Sequence, residues 1–111
     1  MTRDEILKTE YSQAFDKLRQ DMMATSFYKY GSVKENAMNG TTDFVKSLEI
    51  RYQKFKETKN TEFLADMANL CMMIWMYPEQ FGCHYKPTDS GESPGIDGMS
   101  TKQIKEYGES L

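Results

Sequence analysis

The sequence is poor in the residues that cross-link small proteins or bind soft metals. It holds two cysteines and one histidine. Cys71 falls in an apolar helical stretch and Cys83 in a Gly/Pro-rich one. They form neither a CxxC pair nor the dense framework of a small secreted domain, and both read as reduced thiols. With His84 they would give zinc at most three ligands, two of them adjacent in sequence, whereas structural zinc takes four at regular spacing. Any metal here is therefore expected to be a hard cation held by carboxylates. Positive charge is also short: 14 Lys and Arg against 17 Asp and Glu leave a formal charge of −3. Binding to a phosphate backbone is driven by clustered basic residues that release counterions, so direct nucleic-acid binding is not expected. The longest apolar run, Leu70 to Tyr77, is far below the roughly 20 residues that span a bilayer, which excludes a membrane span of that type. Met1 leads into Thr2-Arg3-Asp4-Glu5 with no apolar segment behind a basic start, so a cytoplasmic location is expected.

What is present is helical periodicity. The 111 residues, 39% hydrophobic and 28% charged, fit one globular domain spanning 1–111. Thr2-x-x-Glu5 reads as a capping box, followed by a stripe of Leu7, Tyr11, Ala14/Phe15, Leu18 and Met22 at helical spacing. Residues 24–31 break that stripe, which predicts a short helical turn or aromatic elbow there, stopped by Gly31. Asn39-Gly40-Thr41-Thr42 reads as a turn and N-cap opening a helix over about 42–58, with Phe44/Val45, Leu48, Tyr52 and Phe55 on one face. A further helix over about 61–77 is almost wholly apolar and ends at Pro78. It is expected to be the central, most buried helix. All three prolines and four of the seven glycines lie within 78–98, which predicts an extended arm over 78–99. Ser100-x-x-Gln103 offers a cap for a short terminal helix over 100–108. The expected fold is all-α: a small bundle built on the antiparallel pair 42–58 and 61–77, with an N-terminal helix and the long C-terminal arm.

Polar residues interrupt the apolar helix in a regular way. Glu62, Asp66, Asn69 and Met73 are spaced i, i+4, i+7 and i+11, so they share one face. Ionised carboxylates set into such a helix must be solvated, paired or bound to a cation. Mg²⁺ takes such oxygen ligands while keeping waters and using substrate phosphates to complete its octahedron. Glu49, with Glu57 as a further candidate, would complete the cluster from the preceding helix. A structural alternative makes Glu62 a first-turn acid favoured by the helix dipole and pairs Asp66 with Arg51 or Lys54. The arm offers a second candidate: His84, Lys86, Thr88 and Ser90 sit among turn formers and could hold phosphate, or strap the arm onto the bundle through Tyr85 and Ile96. Met67, Met72, Met73 and Met76 with Trp75 make the apolar helix too oily for one partner helix to cover, which predicts dimerisation or coverage by the arm.

Several strings carry a resemblance. They are Tyr28-Lys29-Tyr30-Gly31, Ser47-Leu48-Glu49-x-Arg51-x-x-Lys54-Phe55-Lys56-Glu57-Thr58-x-Asn60-Thr61-Glu62-Phe63-Leu64-x-Asp66-x-Ala68-Asn69, Met76-Tyr77-Pro78 and Thr88-Asp89-Ser90-x-x-Ser93-Pro94-Gly95. Together they resemble a family of small phage and prophage proteins of poorly defined activity. That family in turn distantly resembles the MazG-like all-α nucleoside-triphosphate pyrophosphohydrolases. Those enzymes bind Mg²⁺ through acidic motifs on paired helices and split nucleotides between the α and β phosphates, usually as dimers or higher oligomers. The resemblance implies Glu49 on the first acidic helix and Glu62 with Asp66 on the second as metal ligands, Glu62 and Asp66 being the catalytic carboxylates. Lys86, Thr88, Ser90 and Asn69 would then contact the nucleotide, in the cytoplasm of a bacterial host. This chain departs from the enzymes' Glu-x-x-Glu and Glu-Glu-x-x-Asp motifs, having Tyr52 three residues after Glu49 and Phe63 after Glu62. The loss of two carboxylates removes metal ligands and a candidate base for activating water.

Two functions are thus expected to compete. One is a Mg²⁺-dependent nucleotide pyrophosphohydrolase, or a catalytically weakened nucleotide-binding relative. The other is a non-enzymatic phage protein that docks on and inhibits a host defence or replication protein, for which an acidic surface and a Met-rich helix are suited.

Overall fold

A computed structural model describes residues 1–88; the terminal helix expected at 100–108, most of the expected arm and Ser90 lie outside the described residues. The fold is all-α: five α-helices and one 3₁₀ turn, with no strand among the described residues. None of these helices is long and apolar enough to cross a membrane. The described residues fall into two units, one running Tyr11–Tyr85 and the other holding Met1–Glu10 and Lys86–Thr88.

In the smaller unit, α1 spans Arg3–Glu10 and buries no residue. Thr2 Oγ1 accepts from the Glu5 backbone N–H at 3.2 Å, and the Thr2 hydroxyl donates to the Glu5 carboxylate at 3.2 Å. The expected cap is therefore made, with the carboxylate taking the hydroxyl in place of the backbone N–H.

The larger unit begins where the first expected helix divides. Ser12 adopts an extended conformation and its side chain accepts from Phe15 N, capping a separate helix α2 over Gln13–Tyr30. Tyr11 donates to Asp16 across that junction, and Asp16 also accepts from Arg19 at 2.7 Å. Residues 24–30 are helical, but as a continuation of α2, so the break expected there, whether a separate helical turn or an elbow, does not occur. The apolar stripe fades, but nothing before Gly31 ends the helix. Gly31, at φ 83°, stops it by donating its N–H to Phe27 O, a backbone angle that glycine adopts without penalty. As a result Phe27, Tyr28 and Tyr30 stand exposed on α2. A short helix α3, Val33–Asn39, follows under a Ser32 cap that accepts from Glu35 N, and it ends at Gly40.

Helices α4, Phe44–Thr58, and α5, Glu62–Met76, form the expected antiparallel hairpin. Asp43, one residue after Thr42, caps α4 by accepting from Lys46 N, and Lys59 in the left-handed region closes it. Asn60 Oδ1 then accepts from Glu62 N at 3.0 Å to start α5. Packed against α4, α2 and the 3₁₀ turn, α5 is the central helix, burying Ala65, Asn69 and Leu70. The core is small. Ala37, Phe44 and Leu70 form its centre, with Val33, Leu48, Met73, Ile74, Tyr77 and Phe81 packed around them. Pro78 ends α5 as expected, but Pro78–Phe81 coils into a 3₁₀ turn instead of opening an extended arm. The turn brings the Phe81 ring to 5.2 Å from that of Phe44. An apolar side chain inserted against the core makes that turn more favourable than continued extension. The stripe expected to bury the N-terminal helix is only partly covered, since Tyr11 is 51% and Leu18 47% exposed.

Candidate functional site

The spacing of α5 is realised in space. Glu62, Asp66, Asn69 and Met73 all line one hollow of about 770 Å³, faced from α4 by Phe44, Ser47 and Arg51 and from α2 by Asp21, Met22, Phe27 and Tyr30. Ser47 and Arg51 are one turn apart, so they look the same way. Glu49 stands two positions from each, about 200° around the helix at 3.6 residues per turn. It lines a different hollow, of about 660 Å³, with Lys46, Gln80 and Phe81. The expected ligand set of Glu49, Glu62 and Asp66 is therefore not brought together. No group of three His, Cys, Asp or Glu side chains suited to a metal occurs among the described residues.

The electrostatics of the hollow are mixed. Partial burial pushes the Asp66 carboxyl above its ordinary value, the positive charge of Arg51 opposes that shift, and Glu62 one turn away adds to it. The pairing of Asp66 with Arg51 considered from sequence is thus present as a field, while no ion pair between them or with Lys54 forms among the described residues. Asn69 is the most enclosed polar group, 4% exposed. Its Nδ2 donates to the Arg19 carbonyl of α2 at 3.2 Å, joining α5 to α2. Its Oδ1 is buried without a hydrogen-bond partner among the described residues. Buried polar atoms are rarely left so, because an unmade bond leaves the desolvation cost uncompensated.

Lys86 and Thr88, expected to contact phosphate, are exposed residues of the other unit. Both cysteines are free and exposed, as expected for reduced thiols. Sequence reasoning missed Ser47 as a member of the site and gave Arg51 only a neutralising role. The signal was available, since Phe44, Ser47 and Arg51 are spaced i, i+3 and i+7 and Phe44 was already assigned to the inner face. The contribution of α2 was readable only in part: Met22 ends the expected apolar stripe, whereas Phe27 and Tyr30 lie in the stretch where that stripe breaks off.

No family model, curated protein or solved structure matches this chain.

Proposed function

We propose that the chain is a nucleotide-binding protein, a catalytically weakened relative of the Mg²⁺-dependent pyrophosphohydrolases, and that the hollow between α2, α4 and α5 is its binding site. The observation that carries this reading is the convergence of Glu62 and Asp66 with Arg51, Ser47 and Asn69 on one hollow of about 770 Å³, within the range of small-molecule sites. Mg²⁺ is commonly held by one or two carboxylates plus the phosphates of its substrate. The pair Glu62 and Asp66 fits an ion that arrives with a polyphosphate, and does not fit a cage built from protein alone. When bound, the ion would neutralise phosphate charge that the two carboxylates would otherwise repel. Arg51, whose guanidinium makes no ion pair among the described residues, supplies donors for phosphate oxygens. Glu49 lies off this hollow, and Tyr52 and Phe63 stand where the resembled enzymes carry acids. Few groups remain to activate water, and binding with little or no turnover is the consequence.

Titration calorimetry with Mg²⁺ and the common nucleoside triphosphates tests the reading. Binding is expected that requires Mg²⁺ and is lost in Asp66→Asn and Arg51→Ala, with no pyrophosphate release above background. Absence of heat with every nucleotide, or binding untouched by either substitution, contradicts it.

A second reading concerns the outer side of α5. Leu64, Cys71 and Trp75 at i, i+7 and i+11 are all exposed, Trp75 to 70%. An apolar stripe of this kind favours pairing of two copies through α5. Sedimentation should then show a dimer that Trp75→Lys converts to a monomer, and a monomeric wild-type protein rules it out.

A further inference from the structure

We propose that Asn69 is the group that selects the base: its Oδ1 accepts a hydrogen bond from the exocyclic amino group of a nucleobase, the donor that adenine, cytosine and guanine carry and uracil lacks. This rests on the nucleotide-binding reading and names the base feature that the reading leaves open. The orientation of the amide is fixed by its neighbour. The Arg19 carbonyl can only accept, so the end of Asn69 that meets it at 3.2 Å is the nitrogen. The oxygen is thereby left as the free end, on a side chain that is 4% exposed and lines the hollow. It finds no partner among the described residues. An acceptor held in this way calls for a donor from a ligand. The carboxylates that line the hollow, Asp21, Glu62 and Asp66, are less enclosed than Asn69, and Glu62 with Asp66 would face the cation and its waters.

The recess of Asn69 narrows the donor further. A ring N–H lies flush with the edge of a base, whereas an amino group projects beyond it and reaches an acceptor set back among side chains. A base presenting a carbonyl at the same point would set two oxygens against each other. Discrimination between a ligand that satisfies a buried acceptor and one that leaves it bare is about tenfold or more.

The test uses the full chain and three pairs of Mg²⁺-loaded triphosphates, each pair differing by one amino group: adenosine against purine riboside, cytidine against the pyrimidin-2-one riboside, and guanosine against inosine. Titration calorimetry should find the amino-bearing member of the bound pair favoured about tenfold or more, and Asn69→Leu should bring the two members to nearly equal affinity. Equal affinities within every pair for the wild-type protein overturn the role of Asn69 and leave nucleotide binding standing. Binding confined to uridine triphosphate overturns it equally. Failure of every nucleotide overturns both readings. Circular dichroism of Asn69→Leu checks that its fold is kept, and if it is not, the wild-type comparison within each pair decides alone.

Discussion

Replacing Asn69 by leucine keeps the branched outline of the side chain and removes both of its polar ends, so two opposed terms can be compared. The term lost is the bond from Nδ2 to the Arg19 carbonyl, worth a net of about 0.5–1.5 kcal/mol. The lower end applies, because that carbonyl lies inside α2 and keeps its helical partner four residues on. The term relieved is the enclosed, unpartnered Oδ1, whose desolvation costs about 1–3 kcal/mol. Extra bulk is accommodated by the adjoining hollow. The balance is a gain of about 0.5–2.5 kcal/mol in the unliganded protein, where each kcal/mol moves Tm by about 4–8 °C in a domain of this size. Urea unfolding followed by far-ultraviolet circular dichroism measures it. A loss of more than about 1 kcal/mol would refute the reasoning, since it would mean that the amide is chiefly a tie between α2 and α5 and that its oxygen is already satisfied.

Asp66→Asn should change stability by less than about 0.5 kcal/mol, because the carboxylate is held against a desolvation cost that Arg51 only partly offsets; a thermal melt showing a loss of several times that would make Asp66 structural. Phe44→Ala should cost about 3–5 kcal/mol, since Phe44 is 5% exposed at the core centre and its ring meets that of Phe81; a small loss in urea unfolding would show that the 3₁₀ turn does not close over the core. The hydrogen bond from Tyr11, with help from Arg19, holds the Asp16 carboxyl below its ordinary 3.8, while the same bond holds the Tyr11 hydroxyl above 10.0. The depressed acid contributes stability that is present above pH 3.8 and is lost as pH falls through its folded value. The raised phenol contributes stability that is present below pH 10.0 and is lost as pH rises through its folded value. Tyr11→Phe should therefore move the Asp16 titration, followed by NMR, upward toward the ordinary value; an unmoved titration would mean that the bond does not form in solution.

How much of this was legible follows from which signals are local. The α4–α5 hairpin was read nearly to the residue, because each helix carries its own end: Asn60 before Glu62, Pro78 after Tyr77, and a continuous apolar pattern between. The division at Ser12 was passed over because the apolar spacing continues across it, and spacing alone is blind to a cap. Ser32-x-x-Glu35 was missed too, although Ser32 caps α3 by accepting from Glu35 N and has the form of a capping box. The break expected at 24–31, a short helical turn or an elbow, took a loss of amphipathicity for an interruption of the helix. Ala24 and the adjoining methionines favour helix, and Thr25 bonds back to the Asp21 carbonyl at 3.0 Å within it. In the site, residues on one helix were predicted together because periodicity fixes their face. Partners from other helices were not, since the rotation of α4 about its axis decides between Glu49 and Arg51, and that rotation is set by Phe44 and Leu48 packing on the core. The unpartnered oxygen of Asn69 had no sequence signature at all, because it depends on a contact with Arg19 fifty residues away.

The most direct measurement is a titration of the isotopically labelled protein with Mg²⁺ and a nucleoside triphosphate, followed by amide shifts. The largest shifts should fall together on Ser47, Arg51, Glu62, Asp66 and Asn69 and saturate at a common concentration, with smaller changes around Glu49 and Lys46. Shifts centred on Glu49, or none on addition of nucleotide, would contradict the assignment of the hollow as a nucleotide site.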